Sequence, residues 1–321
     1  MTTTRVLARI DDGTIDAIRT EGSNVVFTQK IGAGKNKVLV LRDGKVTQVA
    51  DKRGDFDSTL AVLNGTAIWK EIQQDKDGLV ELFSASLSGT GGVARRASME
   101  SLLFTADREQ VYFGDGGRLF AMGPVGPPRL LAKDKDAADI ERGLMLTSAR
   151  DRLFFWVVAS KEKTFRTETK KRAVGRVVSV AKAGGELRDE IVVAEGIHVV
   201  AIAANERTLF WVESGSGEDA PQRLRARPIE GGDAREVATL APTISFLDLE
   251  ARGEELVWES LGLGLGGRSS AMRLTPKRQE VLFEGTNAVK VAPDGVLVAR
   301  STGEYGKGAE LLLVAVPPAS P

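Results

Sequence analysis

The chain contains no cysteine among its 321 residues. That excludes disulfides, thiolate metal sites and cysteine nucleophiles. It has one histidine, His198, so a multi-histidine metal centre is excluded as well. An excess of charge is also missing: 44 Lys and Arg balance 44 Asp and Glu. Nucleic-acid binders usually carry a basic surplus, because phosphate neutralisation dominates their affinity. The balance therefore speaks against nucleic acid as a partner. No run approaches the ~18 apolar residues of a membrane helix, and no membrane insertion is expected. The opening MTTTRVLARIDD has no long apolar core and does not read as a signal peptide. Taken as the native start it implies the cytoplasm; if a leader preceded it, it implies export.

Helical periodicity is absent too. Apolar residues come in short runs of Val, Leu, Ile and Phe, separated by Gly, Asp, Asn and Pro, the signature of many short strands. Glycine, at 35 of 321 residues, exceeds the ~7% average, as a turn-rich fold requires. One strand recurs around a large central residue: NVVFTQ (Phe27), TAIWKE (Trp69), QVYFGD (Phe113), RLFFWV (Phe155), TLFWVE (Trp211), ELVWES (Trp258) and GVLVAR (Val298). The landmarks lie 42, 44, 42, 56, 47 and 40 residues apart. Four-stranded propeller blades take roughly 40–50 residues.

The flanking strands recur as well. An apolar strand precedes each landmark, as in TIDAIRT, STLAVLN and HVVAIAA, and two more follow it, joined by Gly- or Pro-bearing hinges. The seventh repeat stops after three strands, at ELLLVAVP, while RVLARID precedes the first full repeat. Placing that segment on the last blade closes the ring and leaves no pair of open sheet edges. The fold class is thus all-β, a seven-bladed β-propeller of four-stranded antiparallel blades whose last blade is closed by the N-terminal strand. It forms one domain over 1–321, with the closing strand at about 1–11 and blades at about 12–54, 55–98, 99–139, 140–195, 196–239, 240–285 and 286–318. The large landmark side chains are expected to fill the gaps between blades.

The FWVE, IWKE, VWES and YFGD strands resemble the YWTD-type strand of TolB-like propellers, and VAPDG is similar to the SPDG turn of that superfamily. The VAKAGGE and PIEGGDA hinges resemble the KAGG hairpins of bacterial repeats of this kind. The Thr-Asp pair of the YWTD pattern is lacking, and those propellers have six blades. The resemblance concerns blade construction and implies no site residue.

Catalytic patterns are scarce. Neither a P-loop nor a nucleophile elbow is present, and LGLGLGGRSS lacks the Lys and the strand-turn-helix setting of a phosphate cradle. His198 opens a strand and reads as a structural side chain. Acidic residues cluster before the first strands of three blades: Asp11, Asp12 and Asp16; Asp55 and Asp57; Asp134, Asp136, Asp139 and Glu141. Those connections gather around the channel mouth, so Asp12, Asp55, Asp57, Asp136 and Asp139 are candidate ligands for Ca²⁺, a cation that needs several oxygens. Turn chemistry accounts for the same aspartates without a metal. No other cofactor is expected.

The long fourth interval contains KEKTFRTETKKRAV. It carries Lys161, Lys163, Arg166, Lys170, Lys171 and Arg172, with Phe165 as an apolar anchor at its centre. As the loop between the second and third strands, it is expected to project from the face that bears the acidic connections. A basic finger beside an acidic rim suits a protein or peptide partner better than a polyanion. The sequence therefore points to a non-catalytic binding scaffold, monomeric on its own. The alternative is an enzyme or small-ligand protein working at the acidic channel mouth.

Overall fold

A computed structural model describes residues 3–32, 36–52, 59–73, 79–99, 103–133, 143–157, 175–194, 196–215, 220–241, 246–260, 269–276, 278–302 and 307–316. The short apolar runs form strands because alternate side chains bury against the neighbouring sheet, as a half-covered pleat requires. Turn chemistry separates them. Asp43–Gly44 adopts φ of 50° and 73°, and Asn64–Gly65 adopts 46° and 73°. This left-handed pair is what a two-residue hairpin needs.

β1 (Thr3–Ile10) precedes the first blade, which is β2 (Thr14–Glu21), β3 (Asn24–Lys30), β4 (Asn36–Arg42) and β5 (Lys45–Lys52). Blade two is β6 (Leu60–Leu63), β7 (Thr66–Gln73), β8 (Leu79–Ser86) and β9 (Val93–Met99). Blade three is β10 (Phe104–Ala106), β11 (Val111–Asp115), β12 (Arg118–Met122) and β13 (Arg129–Lys133). Blade four is β14 (Gly143–Ala149), β15 (Arg152–Val157), β16 (Arg176–Ala181) and β17 (Arg188–Val192). Blade five is β18 (His198–Ala204), β19 (Thr208–Ser214), β20 (Gln222–Pro228) and β21 (Arg235–Leu240). Blade six is β22 (Leu247–Arg252), β23 (Glu255–Ser260), β24 (Ser270–Leu274) and β25 (Gln279–Glu284). Blade seven is β26 (Thr286–Ala292), β27 (Gly295–Ser301) and β28 (Ala309–Ala315), with β1 as its fourth strand.

The first strand of each blade is innermost and packs against those of both neighbours, from β2 around to β26 and back. The core is divided accordingly. Seven hydrophobic clusters lie one at each blade-to-blade interface. Every landmark residue faces the preceding blade in one of them, and Trp69, Trp211 and Trp258 are at most 1% exposed. Each such indole contributes on the order of 4–6 kcal/mol on an area basis, as an upper bound.

Closure is by hydrogen bonding and charge more than by apolar burial. β1 runs antiparallel to β28, from Thr3 opposite Ala315 to Ile10 opposite Ala309, with a bulge between Val6 and Ala8. Most of β1 is exposed; Leu7, Ala8 and Ile10 reach the cluster between blades seven and one. Buried Glu310 on β28 accepts from Arg9 Nε of β1 at 2.8 Å and from Arg300 of β27 at 2.6 Å. The chain then crosses from the rim to the ring centre through Gly13. Its φ is 79°, and a Cβ there would lie 2.1 Å from the Lys30 carbonyl oxygen. Only glycine fits that crossing.

Candidate functional site on the loop face

In an antiparallel four-stranded blade, the connections from strand two to three and from strand four to the next blade fall at the same end. The longer of those connections include residues 53–59, 134–142, 158–175, 215–221, 261–269 and 302–308, and the shortest are 116–117 and 285. At the other end the turns at 22–23, 43–44, 64–65, 150–151, 253–254 and 293–294 are two residues long, and the rest, the longest being 87–92, 123–128, 182–187 and 229–234, do not exceed six. The ring therefore has a closely trimmed face and a loop face. A rigid scaffold presenting variable loops is the usual setting for binding.

Lys161, Lys163, Phe165, Arg166, Lys170, Lys171 and Arg172 belong to the loop-face connection between β15 and β16 and lie outside the described residues. Of the carboxylates proposed for Ca²⁺, Asp55, Asp57, Asp136 and Asp139 also lie outside them. Asp12 is described. It sits exposed between β1 and β2, where its carbonyl oxygen accepts from Gln29 Nε2 at 2.6 Å. Among the described residues no three His, Cys, Asp or Glu side chains group as a metal site would need. His198 is exposed at the loop-face end of β18, paired in register with Ser214.

Several features of this face depend on contacts between distant segments. Five innermost strands carry a bulge near their loop-face ends, between Ile15 and Ala17, Leu144 and Thr147, Val199 and Ala201, Leu247 and Glu250, and Thr286 and Ala288. A bulge inserts a residue and re-aims its neighbours. Met145, in the second of these, has a φ of 58°, a left-handed conformation that costs a non-glycine residue roughly 1–3 kcal/mol. Glu250 of β22 pairs with Lys290 of β26 and accepts the Val291 backbone N–H at 3.1 Å, tying the innermost strands of blades six and seven. At the closing seam, Arg9, Asp11, Thr302, Lys307 and Glu310 line a cleft of about 320 Å³.

Charge clamps tie neighbouring blades together. Glu190 of blade four is gripped by Arg152 of its own blade and Arg227 of blade five. On the trimmed face, Asp107 of blade three accepts from Tyr112 Oη and Lys182 Nζ, each at 2.7 Å. Burial would raise the Asp107 pKa; the Lys182, Glu109, Tyr112 and Gln110 donors outweigh it and leave the carboxyl below its usual range. Burial, then the bond to Asp107, pushes the Tyr112 hydroxyl well above its ordinary value.

The landmark tryptophans show a further regularity. Trp69 Nε1 donates to Glu71 Oε1 at 2.7 Å in blade two, and Trp211 Nε1 donates to Glu213 Oε1 at 2.8 Å in blade five. Two residues further along a strand is the same face, so W-x-E satisfies its own buried indole. Blade six reads Trp258-Glu259-Ser260. Its acid has moved to the opposite face, where Glu259 accepts from Thr286 Oγ1 at 3.4 Å, and Trp258 Nε1 has no hydrogen-bond partner among the described residues. An alignment of the repeats would have found this, since Ser260 stands where the other two have glutamate. The bulges leave a weaker trace, a local break in the two-residue alternation.

No protein-family model matches the sequence, and no curated protein matches it. Solved structures do. The β-propeller domain of the Trilobed protease from Pyrococcus furiosus superposes with a TM-score of 0.61 at 9% identity, over 97% of this chain and 100% of that one. A prolyl endopeptidase superposes at 0.59 and 12% identity, over 97% of this chain and 51% of that one. An ancestral GH74 enzyme superposes at 0.60 and 12% identity, over 96% and 48%. The likeness is one of fold. This chain spans about half the length of the latter two proteins. The Pyrococcus domain is described as having an open velcro topology, whereas here β1 closes the seventh blade.

Proposed function

We propose that the chain is a non-catalytic binding module that holds a protein or peptide partner on its loop face, through the basic connection between β15 and β16. The observation that carries this reading is the asymmetry of the ring. No turn on one face exceeds six residues, while the other bears every connection of seven or more, the longest being residues 158–175. Lys161, Lys163, Arg166, Lys170, Lys171 and Arg172 supply charge for an acidic partner segment, and Phe165 supplies an apolar anchor. Among the structural neighbours, a ring of this fold occurs as one part of a longer chain. The prolyl endopeptidase is about twice as long as the part this chain covers, 51% of its length.

The test is a pull-down from native lysate with the intact chain and a variant in which residues 161–174 are replaced by a short Gly-Ser turn. Circular dichroism and thermal unfolding show whether the ring survives. A partner recovered by the intact chain and lost with the folded variant supports the reading. Equal recovery by both refutes the assignment to this connection, and recovery of no partner by either refutes the scaffold role.

A further inference from the structure

We infer that the loop-face end of the interface between blades five and six is a carboxylate-binding site, and that it receives an acidic side chain of the bound peptide. The source of the carboxylate rests on the peptide-binding reading above; the site itself does not.

Trp258 Nε1 is a donor on a side chain only 1% exposed that no acceptor among the described residues answers. A buried donor without a partner carries an uncompensated desolvation cost, so any acceptor that reaches it binds at an advantage. The chain itself indicates which acceptor fits. Trp69, Trp211 and Trp258 hold equivalent places, each on the second strand of its blade and packed against the preceding blade. In the first two the indole is met by a glutamate carboxylate two residues on. In the third that carboxylate is replaced by the short hydroxyl of Ser260.

The surroundings suit an anion held by neutral donors. Trp258 lies opposite Met272 in the β23–β24 register, and Ser260 lies opposite Ser270. Alternation therefore places both serine side chains on the face of Trp258 and Met272, toward blade five. Both serines are half-buried, so the way to the indole from the loop face passes between two hydroxyls. The Phe246 ring stands 5.2 Å from the Trp258 ring and walls one side. From blade five, Leu224 and Ala226 belong to the same buried cluster as Trp258. Indole N–H and hydroxyl groups can donate together to one carboxylate. Trp258 is covered in this structure, so a ligand reaches it by parting the ends of β23 and β24, where strand pairing stops.

The experiment follows the four tryptophan indole N–H signals of the full chain by ¹H–¹⁵N correlation, with Trp258→Phe assigning the one of interest. Sodium acetate is titrated against sodium chloride at equal ionic strength. The expected result is a saturable shift of the Trp258 signal in the millimolar range, with the Trp211 signal unmoved. Ser260→Glu should bring the Trp258 signal toward that of Trp211 without any ligand and abolish the acetate response. Ser260→Gln, a neutral acceptor of the same length, provides the second occluding variant should the glutamate not be tolerated. An unresponsive Trp258 signal, an equal response to chloride, or an undiminished acetate response in both variants overturns the site. Two capped peptides that differ by one Glu-to-Gln change then test the source. A response to the Glu peptide alone supports a peptide side chain. A response to acetate with neither peptide keeps the site and overturns its assignment to a peptide. Neither outcome depends on the 161–174 replacement.

Discussion

Replacing Glu213 by alanine should destabilise the ring by leaving the Trp211 indole unanswered. Trp211 is 1% exposed and its Nε1 donates to Glu213 Oε1 at 2.8 Å. Losing the acceptor of a buried donor costs about 1–3 kcal/mol. The same carboxylate lies 3.5 Å from Arg225, which is 34% exposed; that pair contributes under about 1 kcal/mol. With an unfolding entropy of about 2.1 cal/mol/K per residue, the 321-residue chain changes by roughly 0.7 kcal/mol per degree. Glu213→Ala should therefore lower the melting temperature by about 1.5–4.5 °C. Glu213→Gln separates the two contacts, because the amide oxygen still accepts from the indole while the charge facing Arg225 is gone. Differential scanning calorimetry should find the Gln variant close to the parent and the Ala variant clearly lower. Equal losses in the two variants would refute the indole explanation and assign the effect to Arg225.

Further expectations follow from the seam and the core. Gly13→Ala should cost more than about 2 kcal/mol, since it combines a left-handed φ with a clash against the Lys30 carbonyl; urea unfolding measures it, and an unchanged midpoint would count against the crossing geometry. Gly175→Ala places a Cβ 1.8 Å from the Trp156 ring, an overpacking worth about 1–3 kcal/mol that near-ultraviolet circular dichroism should register as a displaced indole. The Arg300 guanidinium, opposed by burial and helped by Arg9, holds the Glu310 carboxyl below its usual range. Its folded pKa is thus lower than its unfolded one, so its stabilisation is complete above about pH 4.3 and is lost as pH falls through the folded value. Stability measured from pH 7 to pH 2.5 should fall less steeply at the acid end in Glu310→Gln than in the parent. Identical slopes would refute the role of this carboxylate in closing the seam.

The blade count and the closing strand were legible because propellers repeat. Seven landmark strands at near-constant intervals, and a last repeat short of one strand, leave RVLARID as the only segment able to complete the ring. Trp69, Trp211 and Trp258 were readable as interblade core, since alternation within one strand places a large apolar residue on a covered face. The basic connection and the acidic clusters could be assigned to one face, because strand number alone decides at which end a connection falls. The partnership of Glu310 with Arg9 was not legible: 301 residues separate them, and no local pattern links a strand to the one that closes it. The same holds for Glu250 with Lys290 and Glu190 with Arg227, pairs that exist only once neighbouring blades are docked. The contrast between Trp211, which has its acceptor, and Trp258, which lacks one among the described residues, lies between these cases. Ser260 stands in the sequence for any reader, but only burial in the ring turns a missing carboxylate into an unanswered donor.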